Sequence, residues 1–547
     1  MFELPDVPFS RQLSRPIALL GLRPPILPPA LNQFLPNVIE PLGKVPALRR
    51  ELSRFFVNYY GYATSPRPRP LTLGRDYTTW RTLTDRTYTG RHLPPAPPEQ
   101  QEKWPNQADV VALFRRDQEI KSTDTSVMFM FFAQWFTDSF LRTSHGTGPE
   151  DYQRNTSNHE IDLCQIYGLT EEKTSMLRSK TGGRLKTQYI GDEEFPEFLF
   201  ERRQPGASLV VKPEFKGLHD EEFLIKFILD GAPEEHKDTM FAVGLEHGNS
   251  TIGQTMLNTV FYREHNRIAR ILEQEYPKWD DDRWFDTTRN VMIVILLKLV
   301  IEQYIRHIAP FGFPIETVPF LAEGERWNRS NWCAIEFNLL YRWHSLVPNS
   351  IGSGADRMEP SEFRNNNPLL LRRGIEALMA QCSWERAGKI GLRNTPHFLV
   401  DRSRPEDPST EERTVALMRK AQLRSYNEYR EAFGLRRLSS FEQLTRDPEL
   451  RRRIEELYKN IDDLEWYVGI FAEDYPDYLM MGELLTTMVA HDAFTQAFTN
   501  PLLARNVFNE ETFSRIGLEI IEETNSLGQI VARNSTSPDK VVVEFSC

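Results

Sequence analysis

The chain reads as one large, mainly α domain preceded by short N-terminal helices. Three observations give that class. From about residue 105 onward apolar residues recur at 3.6-residue spacing, strand signals are few and short, and no Pro/Gly/Ser linker divides residues 105–530. The composition agrees: 547 residues, 40% hydrophobic and 26% charged, describe an ordinary globular protein and exclude a disordered or fibrous chain. With 66 Lys and Arg against 77 Asp and Glu, the net charge of −11 argues against a dedicated nucleic-acid binder, which needs surplus cations to displace counterions. The four cysteines, Cys164, Cys333, Cys382 and Cys547, form no CxxC. They exclude a disulfide scaffold and a thiolate zinc site, and fit a reducing, cytoplasmic setting. The opening MFELPDVPFSRQ has no cationic stretch followed by an apolar run, so no secretory signal is expected. The most apolar stretch, 291–301, is interrupted by Lys298 and falls far short of the ~20 residues that span a bilayer.

Residues 1–75 are set apart by proline clusters at Pro24, Pro25, Pro28 and Pro29 and again at Pro66, Pro68 and Pro70, which break helices and favour extended connectors. Between them, residues 31–39 and 47–60 have helical patterning; in the second, Leu48, Leu52, Phe55 and Phe56 share helix spacing. Two readings stay open: a monotopic, membrane-contacting lipid entrance, or short helices packed on the main body. In the second domain, 76–547, helices are expected at 127–143, 252–275, 286–308, 333–343, 410–433 and 485–500. The tail around 541–543 reads as a short strand or a loose end.

Three passages could carry chemistry. In Glu336-Phe-Asn-Leu-Leu-Tyr341-Arg-Trp-His344 a helix would put Tyr341 and His344 one turn, roughly 4.5 Å of rise, apart on nearly one face. A neutral imidazole in an apolar setting is a good axial ligand for haem iron, although most such pairs are ordinary core residues. In 127–143, Gln134 and Asp138 share a face amid dense aromatics, where a buried lone polar group costs about 1–3 kcal/mol; an Asp138 facing solvent is the competing reading. The third, Tyr262-Arg-Glu-His-Asn266, reads alone as a buried, salt-bridged helix turn.

Taken together, Ala133-Gln-Trp-Phe-Thr137, Arg263-Glu-His-Asn-Arg267 and Glu336-Phe-Asn-Leu-Leu-Tyr341-Arg-Trp-His344 resemble the cyclooxygenase (prostaglandin-endoperoxide synthase) branch of the animal haem-peroxidase superfamily. Tyr426-Asn-Glu-Tyr-Arg430 and Ile461-Asp-Asp-Leu-Glu-Trp-Tyr467 extend the likeness, which runs from about residue 76 to 530. The flavour is that of bacterial fatty-acid dioxygenases of this branch. No growth-factor-like disulfide module is present, as the cysteine count requires.

The resemblance implies a haem-peroxidase-type helical domain that binds haem b. It makes His344 the proximal ligand of the haem iron and Tyr467 its support, through water. Tyr341 becomes the tyrosine whose radical takes hydrogen from an unsaturated, linoleate-like fatty acid before O2 adds, and Tyr304 its hydrogen-bond partner. Ile305, Ile308, Phe311, Phe337, Leu340, Ala493 and Phe494 fall on the acyl channel, where each buried CH2 is worth about 0.8 kcal/mol. Gln134 keeps the family's distal glutamine, but Asp138 stands where a histidine is expected. A carboxylate can shuttle protons there only if burial raises its pKa, so weak or absent peroxidase turnover and release of a hydroperoxide are expected. No arginine takes the carboxylate-anchor position; Arg67 and Arg69 are the nearest. A homodimer and peripheral membrane contact are consistent with the family. The alternatives are a haem peroxidase oxidising small donors with H2O2 and a haem-binding protein without turnover.

Overall fold

The computed structural model describes residues 45–64, 71–144, 148–202, 204, 208–230, 232–309 and 314–547. The expected helix 31–39, Arg67, Arg69 and Phe311 lie outside them. The elements that position the site are helices α1 (Pro46–Gly61), α2 (Val127–Thr137), α3 (Ile252–Glu275), α4 (Asp281–Lys298), α5 (Ile305–Ile308), α6 (Ile335–Leu340), α7 (Ile375–Trp384), α8 (Thr410–Lys420), α9 (Tyr426–Ala432), α10 (Trp466–Ala472), α11 (Glu483–Phe498) and α12 (Glu510–Glu523). Among the described residues, sheet is confined to three two-stranded antiparallel pairs. One joins β1 (Lys121–Ser126) to β2 (Arg386–Gly388).

The core forms where α2 packs on α3 and α7, α3 on α4, and α4 on α12. The α2–α3 crossing is close because Gly253 has no side chain: a Cβ there would sit 2.2 Å from Phe131 Cγ. The α3 turn Arg263–Asn266 is a buried structural network, as its residues suggest. Arg263 pairs with Glu193 at 2.7 Å, Glu264 with Arg267 at 2.8 Å, and the His265 ring bridges the Tyr167 hydroxyl and the Gly183 carbonyl at 2.9 Å each. Helix α1 packs on α11, held by the Trp327 Nε1–Asn58 bond (2.8 Å) and by Arg49 and Arg50 on Glu316 (3.1 Å each). No helix among the described residues is long and apolar enough to cross a membrane.

Several expected helices are shorter or divided. The stretch expected over 410–433 is two helices, each opened by a capping box (Ser409 with Glu412, Ser425 with Glu428), with Gln422 left-handed at φ +52° between them. The 286–308 stretch runs through α4, a π-helical segment Leu299–Tyr304 and then α5; such a segment inserts one residue and re-aims the side chains beyond it. Most consequential, the helix expected over 333–343 stops at Leu340. Tyr341 closes it (φ −89°, ψ 6°), Trp343 turns the chain (φ −81°, ψ 53°), and His344 opens a separate 3-10 turn, His344–Leu346. The tail is neither loose nor part of a regular strand: Phe545 accepts from Ser126 N at 2.9 Å and packs on Phe132 at 5.1 Å between ring centres. All four cysteines are free thiols.

Candidate active site

Helix α2 is buried at every position but Gln134, because Val-Met-Phe-Met-Phe-Phe-Ala is apolar all round. Gln134 and, one turn on, the capping residue Asp138 emerge into a cleft of about 520 Å³ that Tyr341 and His344 also line. The volume lies within the range of ligand-binding pockets. Four of the residues singled out in the sequence thus meet at one cavity, although Tyr341 and His344 reach it from two local elements instead of one helix face.

His344 is placed by the turn that carries it. Arg116 Nη2 donates to the Val347 carbonyl at 2.8 Å, and Gly388 on β2 lies so close that a Cβ would sit 2.0 Å from the Ser345 carbonyl. Behind the ring, His344 Nδ1 meets Glu411 Oε2 at 2.5 Å, and Tyr467 donates its hydroxyl to Glu411 Oε1 at 3.2 Å. Glu411 is fully buried. The Glu411 carboxylate thus bridges the Tyr467 hydroxyl and the His344 ring. Glu411 had no distinguishing signal: in Ser409-Thr-Glu-Glu412 both acids suit a first helical turn, and only packing turns Glu411 inward while Glu412 caps Ser409.

On the cleft's polar wall, Gln254 Nε2 donates to Asp138 Oδ2 and Thr251 Oγ1 lies 3.5 Å from Gln134 Oε1. Desolvation pushes the Asp138 carboxyl up to about 6, against the pull of Arg142 and of the Gln254 bond. A carboxyl held near 6 is poised to exchange a proton close to neutrality. Gln254, one turn into α3, escaped the sequence reading because its partner lies 116 residues away.

Tyr341 is half-buried with its hydroxyl shielded from solvent, and its ring packs on Trp343 at 4.8 Å and Phe337 at 5.4 Å between ring centres. Tyr304 comes from the π-helical segment and stacks on Phe129 at 4.9 Å. The two phenol groups face each other closely enough to perturb one another, without good hydrogen-bond geometry. Burial pushes both phenols up, so both carry their protons at neutral pH. Ile305, Ile308, Phe337, Leu340, Ala493 and Phe494 are all buried but line no part of the cleft.

The donor set fits a haem. An imidazole whose Nδ1 is held by a carboxylate has its tautomer and orientation set, leaving Nε2 for iron. Phe131, Phe363, Leu346 and Val347 offer apolar walls to a porphyrin, and Arg342 and Arg364 offer charge to its carboxylates. The animal haem peroxidase family model matches residues 139–544. The chain belongs to that family. Prostaglandin G/H synthase 1 of Mus musculus is 31% identical over 486 residues, covering 86% of this chain and 74% of the relative, and prostaglandin G/H synthase 2 of Gallus gallus is 30% identical over 85% and 74%. Among solved structures, fatty acid alpha-dioxygenase of Arabidopsis thaliana superposes with TM-score 0.70 at 15% identity over 98% of this chain and 96% of that one. Peroxidase A of Dictyostelium discoideum does so with TM-score 0.67 at 19% identity over 88% and 99%. The helical haem-peroxidase fold read from the sequence is the fold observed, and membership of this oxidoreductase family implies haem binding.

Proposed function

We propose that this haem peroxidase family member is a fatty-acid dioxygenase that uses haem b, held by His344, Glu411 and Tyr467. One observation carries the reading: the Tyr341 phenol and the His344 imidazole wall a single cleft, while Phe337 packs the phenol's ring against apolar core. Haem, when bound, supplies the one-electron oxidant. Tyr341, as a phenoxyl radical, takes a hydrogen atom from a bis-allylic carbon of an unsaturated, linoleate-like chain and regains its O–H. O2 adds to the carbon radical, and the peroxyl group takes the hydrogen back from Tyr341. The net change is insertion of O2 into one C–H bond to give a hydroperoxide. Tyr304 is the partner the phenol would take once the two hydroxyls align. Ile305, Ile308, Leu340, Ala493 and Phe494 are buried apolar core outside the cleft, so on this reading the acyl chain opens a path among them to reach Tyr341. The family relatives include prostaglandin synthases, and a fatty acid alpha-dioxygenase of the same fold was solved with palmitic acid.

On this reading helix α1 is the described part of a lipid-entry element, supported by its Tyr60 lying 6.1 Å from Phe494 between ring centres. The test is O2 uptake with linoleate by haem-loaded protein, with the hydroperoxide identified by mass spectrometry under labelled O2. Tyr341→Phe is expected to abolish uptake while keeping the haem. A second reading, peroxidation of small donors with H2O2, is favoured by the raised pKa of Asp138. Fast guaiacol oxidation with inert linoleate would select it. Neither reaction, in protein whose Soret band is lost in His344→Ala, would leave a haem-binding protein without turnover.

A further inference from the structure

We propose that His92, His491 and Asp492 form a buried site for a divalent first-row transition-metal ion, of the two-histidine, one-carboxylate kind, separate from the haem cleft. Each residue offers one donor atom, and the three donors lie within 4.8 Å of one another with all three side chains buried. His92 Nε2 stands 3.0 Å from both Asp492 oxygens. Donors in a tetrahedron with metal bonds of about 2.0 Å are roughly 3.3 Å apart, so a small opening of this pair admits an ion.

The surroundings are those of a metal centre. His491 Nδ1 is 2.9 Å from the Tyr60 carbonyl, an acceptor only, so Nδ1 carries the proton and Nε2 is the nitrogen with a lone pair to give. The His92 backbone is fixed by its N–H bond to Glu336 Oε1 at 3.0 Å. Phe433 presents its ring at 5.3 Å to His92 and 5.7 Å to His491, an apolar collar that keeps water out. Two imidazoles and one carboxylate select zinc, manganese, iron or cobalt over calcium or magnesium, which take oxygen ligands.

The position gives such an ion a role. Asp492 precedes Ala493 and Phe494 on α11, which packs on α6, whose end carries Tyr341. The Tyr341 phenol, raised chiefly by burial, is raised further by the Asp492 charge. An ion here would tie α11 to the segment carrying His92. The site does not depend on what the haem cleft oxidises.

The experiment is zinc binding by chelator-treated, haem-loaded protein, read by calorimetry and elemental analysis. One zinc per chain, a raised melting temperature, and a loss of at least 10-fold in affinity in Asp492→Asn and His491→Gln are expected. The zinc absorption edge should report imidazole nitrogen and oxygen at about 2.0–2.1 Å. Absence of stoichiometric binding to the wild-type chain overturns the proposal, as does an edge with sulfur or oxygen alone. Wild-type affinity in variants whose Soret band and circular dichroism are intact also overturns it. Where a variant does not fold, the wild-type stoichiometry and edge decide.

Discussion

Removing the Glu411 carboxylate tests the construction of the haem site at its least visible point. In Glu411→Ala the Nδ1–H of His344 loses its carboxylate acceptor at 2.5 Å, and the hydroxyl of Tyr467 loses the nearer of its two acceptors, keeping the Arg342 carbonyl at 3.4 Å. An orphaned buried donor costs about 1–3 kcal/mol, and more where the lost bond was charge-assisted. Loss of a partner that orients a ligating imidazole costs 10–100-fold in metal affinity, which is about 1.4–2.8 kcal/mol. The same carboxylate makes the imidazole a stronger donor to ferric iron, so its loss is expected to raise the Fe(III)/Fe(II) midpoint potential. Haem titration followed at the Soret band measures the affinity, and spectroelectrochemistry the potential. Glu411→Gln, which keeps an acceptor and discards the charge, should retain most of the affinity yet share the raised potential. Native affinity and native potential in both variants would refute the claim that Glu411 sets the imidazole.

Gly388→Ala should displace the turn carrying His344, since its Cβ would fall 2.0 Å from the Ser345 carbonyl. Weakened haem retention and a loss of about 1–3 kcal/mol in chemical denaturation are expected. Asp138 titrates near 6 in the folded chain against an ordinary value of 3.8. Its raised pKa costs nothing at about pH 3 and below, where both states are protonated, and destabilises the fold increasingly from there to pH 6 as the unfolded chain ionises first. Asp138→Asn should therefore be relatively more stable at pH 7 than at pH 3, by up to about 3 kcal/mol in haem-free protein; an equal difference at both pH values would contradict the shift. Asp138→His should raise guaiacol peroxidation, and no gain in a folded, haem-loaded variant would assign the limit to the distal geometry.

Much of this molecule is legible in its letters, because helix periodicity is a local property. The apolar run of α2 with Gln134 and Asp138 four residues apart announces two polar groups on one face of a buried helix, and that face does open on the cleft. His344 and Tyr341 were equally readable as a donor and a phenol close in sequence. The π-helical segment that presents Tyr304 was not readable, since an inserted residue leaves the apolar pattern of 286–308 intact. Nor was the break between Tyr341 and His344, which depends on Trp343 adopting a non-helical conformation against its neighbours.

What the tertiary structure alone decided is which groups meet. Glu411 and Glu412 are chemically equal in the sequence, and only the packing of α8 sends one behind His344 and the other to cap Ser409. Asp138 acquires an imidazole-like pKa from desolvation, which no spacing encodes. His92 and Asp492 are 400 residues apart and touch only because the chain closes on itself. Helix faces are set by neighbours along the chain; partners, charge states and ligand sets are set by neighbours in space.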